Sequence, residues 1–227
     1  PAALLLRGAR HSVISGCAVQ HVGADGVAML GGAQGNNISR TSFNDISGSA
    51  VAIGSIESCP PTERGPCYIA PDLQDSGNSV TDCSTVDTGA EYRGSAAIFV
   101  AVARETTLSH NDIGETPWSA IAFGWGWSLQ PVTWAGRNFV TRNNLHGMMR
   151  LLGDGGAVYT LGPQGGQPCL SGGPDAPFPR NSSAEPPSLI AFNYIHDAGN
   201  HATALLDHGG VQEGTHSPGG VYTDQGR

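Results

Sequence analysis

Short apolar alternations, never longer than a few residues, recur along the whole chain in one phase. Each unit has an aliphatic residue, two variable positions, a small or polar residue, one further position and then usually another apolar residue. It reads Ile14-Ser-Gly-Cys17-Ala-Val19, Ile38-Ser-Arg-Thr41-Ser-Phe43, Val80-Thr-Asp-Cys83-Ser-Thr85 and Leu108-Ser-His-Asn111-Asp-Ile113. Val140-Thr-Arg-Asn143-Asn-Leu145 and Ile190-Ala-Phe-Asn193-Tyr-Ile195 complete the set. A second apolar triplet follows in every unit: Val27-Ala-Met29, Val51-Ala-Ile53, Ile98-Phe-Val100, Ile121-Ala-Phe123, Val158-Tyr-Thr160 and Val221-Tyr-Thr223. Period-two alternation over so few residues predicts strands, and no stretch sustains the i, i+3, i+4 stripe of a helix.

The leading aliphatic residues stand at intervals of 24, 42, 28, 32 and 50 residues. The shortest interval matches one turn of a solenoid, and the longer ones read as the same turn carrying inserted loops. The Pro- and Gly-rich segments Glu57 to Gly77 and Gly162 to Ser188 are the two predicted insertions. Stacking turn on turn at ~4.8 Å places like residues above like, so Asn111, Asn143 and Asn193 are expected to hydrogen-bond as a ladder at one corner. A β-sandwich does not explain a small or Asn residue recurring at one phase, and a propeller blade needs roughly 40 or more residues. The predicted fold is all-β: a single right-handed parallel β-helix of about six coils spanning residues 1–227.

Composition narrows the function. Of 227 residues, 33 are Gly and 15 Pro, and only 13% are charged, which suits a turn-dense β protein. The net charge is −8, every basic residue is Arg, and no basic run offers phosphate neutralisation, so neither nucleic acid nor an anionic membrane is an expected partner. The longest apolar run, Ala96 to Ala103, is too short to cross a bilayer. The chain opens on Pro1 with no visible signal peptide and is read as a segment of a longer polypeptide. Of five Cys, Cys59 and Cys67 share one Pro-rich stretch and could form a disulfide in an oxidising compartment; the sequons at Asn37 and Asn181 are compatible with secretion.

Candidate chemistry gathers late. Asp154 lies between glycines just before one strand, and Asp224 just after the equivalent strand one coil later. Glycine lets the backbone turn sharply and leaves the carboxylates open to a ligand, although Asp-Gly is also a common turn. Trp118, Phe123, Trp125, Trp127 and Trp134 fall within 17 residues. Aromatic rings with polar edges suit the face of a sugar, while packing in the core is the competing reading for each Trp alone. His196-Asp197 follows the Asn193 corner, and His146 shares its phase one coil earlier. With His201, Asp207, His208, Glu213 and His216 they form no tight metal-ligand spacing, so no metal or organic cofactor is implied.

The run from Asn111 to Gly226 resembles the β-helix repeat proteins of the pectin-lyase-like superfamily and, more narrowly, glycoside hydrolases of family 141. The resemblance rests on Pro117-Trp118-Ser-Ala-Ile121, Gly124-Trp-Gly-Trp127, Asn143-Asn-Leu-His146, Leu152-Gly-Asp154-Gly-Gly-Ala-Val-Tyr-Thr-Leu-Gly162, Asn193-Tyr-Ile-His-Asp197 and Gly220-Val-Tyr-Thr-Asp224-Gln-Gly226. It implies an extracellular or cell-surface hydrolase of poly- or oligosaccharides, active on fucosides or xylans in that family, with Asp154 and Asp224 as its catalytic carboxylates. Trp118, Trp125, Trp127, Tyr159, Tyr222, His196, Asp197 and Arg150 are the expected substrate contacts. Gln225 departs from the Glu that family members often carry there.

One geometric requirement accompanies that pair. With Val158 stacked on Val221, an extended strand separates Asp154 from Asp224 by ~20 Å. Glycosidase pairs lie about 5–10 Å apart. Either the Gly155-Gly156 corner folds Asp154 back, or its partner is Glu115 or an acid within residues 197–213. A non-catalytic carbohydrate-binding or structural solenoid is the alternative reading. A polysaccharide lyase is disfavoured by the absence of Lys and the negative charge, with Arg150 its one candidate base.

Overall fold

The computed structural model describes residues 1–55, 70–124, 135–161, 188–198 and 219–224. After β1 (Ala2–Arg7), a first coil runs through β2 (Val13–Ser15), β3 (Ala18–Val22) and β4 (Asp25–Leu30). The second contains β5 (Asn37–Ser39), β6 (Ser42–Ile46) and β7 (Val51–Ile53). The third places the short β8 (Asp75–Ser76) ahead of β9 (Ser79–Thr81), β10 (Ser84–Thr88) and β11 (Ile98–Val100). The fourth likewise has β12 (Ala103–Arg104), then β13 (Thr107–Ser109), β14 (Asp112–Gly114) and β15 (Ile121–Phe123). The last two comprise β16 (Phe139–Thr141), β17 (Asn144–His146) and β18 (Gly156–Leu161), then β19 (Leu189–Ala191), β20 (Tyr194–His196) and β21 (Gly219–Asp224).

Equivalent strands of successive coils pair in parallel, so the chain is a parallel β-helix. One sheet stacks β2, β5, β9, β13, β16 and β19; a second stacks β3, β6, β10, β14, β17 and β20. The third runs from β1 through β4, β7, β11, β15 and β18 to β21. The repeat read from the sequence is the observed register. Ile14, Ile38, Val80, Leu108, Val140 and Ile190 form one row, and Val27, Val51, Ile98, Ile121, Val158 and Val221 another. These rows point inward, and Ile38, Val80, Val51, Ile98, Ile121 and Val158 are at most 1% exposed, so the core is a set of stacks running along the coil axis.

The corner between the first two sheets is a column of left-handed residues: Gly16, Arg40, Asp82, His110, Arg142 and Phe192, with φ between 49° and 65°. A non-glycine residue there costs about 1 kcal/mol. Inter-coil hydrogen bonds offset that strain: Arg40 N–H donates to Thr81 O, Asp82 to Ser109 O, His110 to Thr141 O and Arg142 to Ala191 O. From the second coil on, the next residue turns its side chain inward, and here the expected ladder stands. The Asn143 carboxamide oxygen accepts from the backbone N–H and the Nδ2 of Asn111, both at 3.0 Å. Asn193 does the same for Asn143 at 2.9 Å.

A second ladder, two residues before each leading aliphatic, escaped the sequence reading. Asn36 donates to Asn78 Oδ1, Thr106 N–H to Asn138 Oδ1, and Asn138 N–H to Ser188 Oγ. Of the first predicted insertion, residues 70–77 belong to the coil itself, because β8 pairs with β12. Buried Asp75 ties them down by accepting the backbone N–H groups of Gly31, Gly32 and Ala33. Cys59 and Cys67 lie outside the described residues.

Candidate functional site

Asp154 sits in the turn that leads into β18. The preceding segment is docked on residues 116–118 by the backbone. Met149 N–H donates to Trp118 O, Arg150 N–H to Thr116 O, and Leu151 and Leu152 N–H both to Pro117 O. The indole Nε1–H of Trp118 then donates to the backbone oxygen of Asp154 at 2.6 Å. A Cβ at position 155 would stand 2.6 Å from that Nε1 and 2.8 Å from Ser119 Oγ, which is why the residue after Asp154 is glycine. The Asp154 side chain remains exposed.

The rings in this region pack against one another. Trp118 meets Tyr159 with centroids 5.0 Å apart at 56°, and Tyr159 stacks on Tyr222 at 5.4 Å and 10°. Trp118 is 9% exposed and Tyr159 2%, so Trp118 acts here by fixing the Asp154 backbone. Phe123 is a core residue. Trp125, Trp127 and Trp134 lie outside the described residues, as do His201, Asp207, His208, Glu213 and His216.

Beside the Asp154 turn, where the second sheet passes into the third, a cavity of about 300 Å³ is lined by Asp87, Arg93, Glu115, Pro117, Arg150 and Leu151. Its acids come from a second column of left-handed residues at the end of the second sheet: His21, Asp45, Asp87, Glu115, Gly147 and Asp197. Glycine at 147 leaves room for Glu115, since a Cβ there would lie 2.6 Å from the Glu115 carboxylate as it stands. Glu115 fills that gap and forms an ion pair with Arg150. The cavity thus holds two carboxylates and two guanidiniums beside Pro117 and Leu151, a mixture able to hydrogen-bond a polyhydroxyl ligand. Asp87 and Arg93 escaped the sequence reading. Asp87 stands two residues after the inward Thr85, the same offset as Glu115 after Ile113 and Asp197 after Ile195, so the repeat contained the signal.

The other expected site residues divide between two places. The backbone of Asp224 pairs with Leu161, at the far end of the row that Gly156 and Gly219 begin. Asp154 precedes Gly156 by two residues, so seven residues of chain, ~20 Å if extended, separate the two rows. His196 and Asp197 lie on and just after β20, with His196 Nδ1 2.7 Å from Asp197 Oδ2. The ring of His196 stacks on that of His146 at 5.3 Å, in the shared row expected from the sequence. Among the described residues no group of three or more His, Cys, Asp or Glu could hold a metal ion, and no helix is long and apolar enough to cross a membrane.

No family model matches the chain, and no curated protein does. A solved structure described as a glycoside hydrolase superposes with a TM-score of 0.75 at 21% identity, over 99% of this chain and 38% of that one. At that identity the likeness shows the fold. The chain spans 38% of the length of that protein.

Proposed function

We propose that this chain is part of a glycoside hydrolase built on a right-handed β-helix and acting on extracellular or cell-surface poly- or oligosaccharides. The observation that carries the reading is the cavity where Glu115, Asp87, Arg93 and Arg150 meet beside the turn presenting Asp154. The fold likeness to a glycoside hydrolase and the motifs resembling family 141 support it. In this mechanism Asp154 protonates the leaving glycosidic oxygen, and a second carboxylate acts as base or nucleophile. The resemblance offers Asp224 for that second role, but its row lies ~20 Å of extended strand from Asp154, well beyond the about 5–10 Å of a glycosidase pair. Glu115, ion-paired with Arg150, is the alternative second carboxylate.

The test is reducing-end release from a panel of soluble glycans by the wild type, Asp154→Asn, Asp224→Asn and Glu115→Gln. Asp154→Asn is expected to lower kcat about 100-fold or more, as is one of the other two. Hydrolysis within about threefold of wild type in Asp154→Asn would exclude this assignment. The second reading, a carbohydrate-binding solenoid without catalysis, is favoured by the separation of the Asp154 and Asp224 rows. It would be upheld by glycan binding that survives both Asp substitutions in a protein releasing no reducing ends.

A further inference from the structure

The outer face of the second sheet carries a ring cluster that lies outside the lining of the cavity. The outward rows at its last coils read Asp112, Asn144, Tyr194 and Gly114, His146, His196. Glycine at 114 lets the His146 ring lie down over the previous coil, since any Cβ there would collide with the imidazole. His196 stacks on that ring at 5.3 Å and 13°, and Tyr194 leans on His196 at 4.6 Å. Tyr194 nevertheless stays 66% exposed.

Hydrogen bonds fix the polar edge of this platform. Asn144 Nδ2 donates to Asp112 Oδ1 at 2.7 Å, which turns the Asn144 carbonyl toward His196 Nε2 at 3.1 Å. His196 Nδ1 meets Asp197 Oδ2 at 2.7 Å, and His146 Nε2 lies 3.2 Å from Asp112 Oδ1. The side chains are thereby ordered without a ligand, which reduces the entropy lost on binding.

We propose that this face is a glycan-binding platform, adjoining the candidate catalytic cavity but outside its lining, on which a neutral sugar stacks against Tyr194 and His196. Stacking on a ring face uses the apolar side of a pyranose, and the rim carboxylates of Asp112 and Asp197 accept from its vicinal hydroxyls. These rows carry no Arg to pair with the carboxylates of a polyuronate, so the site favours uncharged glycans. The inference rests on the carbohydrate reading above for its ligand class and is independent of the hydrolytic step.

The test is affinity electrophoresis with arabinoxylan, xyloglucan, galactomannan and mixed-linkage β-glucan against polygalacturonate. The wild type should be retarded by at least one neutral glycan and not by polygalacturonate. Tyr194→Ala and His196→Ala should each bind about tenfold more weakly, and Tyr194→Phe should retain binding. Because Tyr194 is exposed, an unchanged melting temperature in Tyr194→Ala separates lost contact from lost fold. Unchanged binding by Tyr194→Ala, no retardation of the wild type by any neutral glycan, or preference for polygalacturonate would each overturn the proposal. Reducing-end release is scored separately. Binding without hydrolysis keeps the platform and removes the hydrolase, whereas hydrolysis with binding insensitive to Tyr194→Ala does the reverse.

Discussion

Truncating one interior rung of the Asn ladder tests how far the corner holds the coils together. The Asn143 side chain is 1% exposed and fully engaged on both sides of its amide. Its Oδ1 accepts from Asn111 N–H and Nδ2, and its Nδ2 donates to Leu108 O and Asn193 Oδ1. In Asn143→Ala the Asn111 N–H and the Leu108 carbonyl lose these partners inside the stack, at about 1–3 kcal/mol each. Asn111 Nδ2 keeps its bond to Val80 O, and Asn193 keeps its bond to Val140 O. The expected loss is therefore about 3–4 kcal/mol, a large part of the roughly 5–15 kcal/mol typical of a folded domain. Asn193→Ala, on the half-buried last rung, should lose less. Urea unfolding followed by far-UV circular dichroism measures both, with the midpoint of Asn143→Ala falling by about 1–2 M. A loss below about 1 kcal/mol, or equal losses at the two rungs, would refute the argument that the buried amides carry the corner.

Two further perturbations probe the rest of the molecule. Burial pushes the Asp75 carboxyl up from 3.8 to about 6, outweighing the three backbone N–H groups it accepts. The native state therefore binds the proton more tightly than the unfolded chain. The Asp75 contribution to stability is fully present below about pH 4 and is lost as pH rises through about 6, roughly 2–3 kcal/mol in all. Asp75→Asn should lack that slope, and urea titrations at about pH 4.5 and 7.5 giving wild type and variant the same pH dependence would contradict it. Gly155→Ala forces a Cβ against the Trp118 indole nitrogen and should cost about 1–3 kcal/mol. It should also displace Asp154, so the check is hydrolysis and Trp fluorescence together; a variant matching wild type in both would show the turn to be adaptable.

The repeat carried most of the fold because a parallel solenoid makes sequence phase and spatial register one quantity. A residue's neighbours across the sheet are its counterparts one coil away, so Ile38, Val80 and Leu108 are legible as a stack in the amino-acid order alone. The corners were less legible. Left-handed turns are normally marked by glycine, yet Arg40, Asp82, His110, Arg142 and Phe192 occupy this column. In the first four the strain is offset by hydrogen bonds to the next coil, which no local pattern announces. The Asn36, Asn78 and Asn138 ladder was readable in principle but is interrupted by Thr106, which hid its period.

For the candidate site, the sequence by itself determined that Asp154 stands at a glycine-bounded turn. Only the tertiary structure decided what surrounds it. Trp118 turned inward because its indole has a backbone oxygen to satisfy, and Tyr159 was buried under the same packing. Asp87 and Glu115, 28 residues apart in the chain, became neighbours in one column, and Arg150 closed over Glu115. Those contacts depend on how long each inserted loop is and which gap a glycine such as Gly147 leaves open. Phase along the chain specifies which residues share a row; side-chain volume and charge, acting between rows, decide which of them meet.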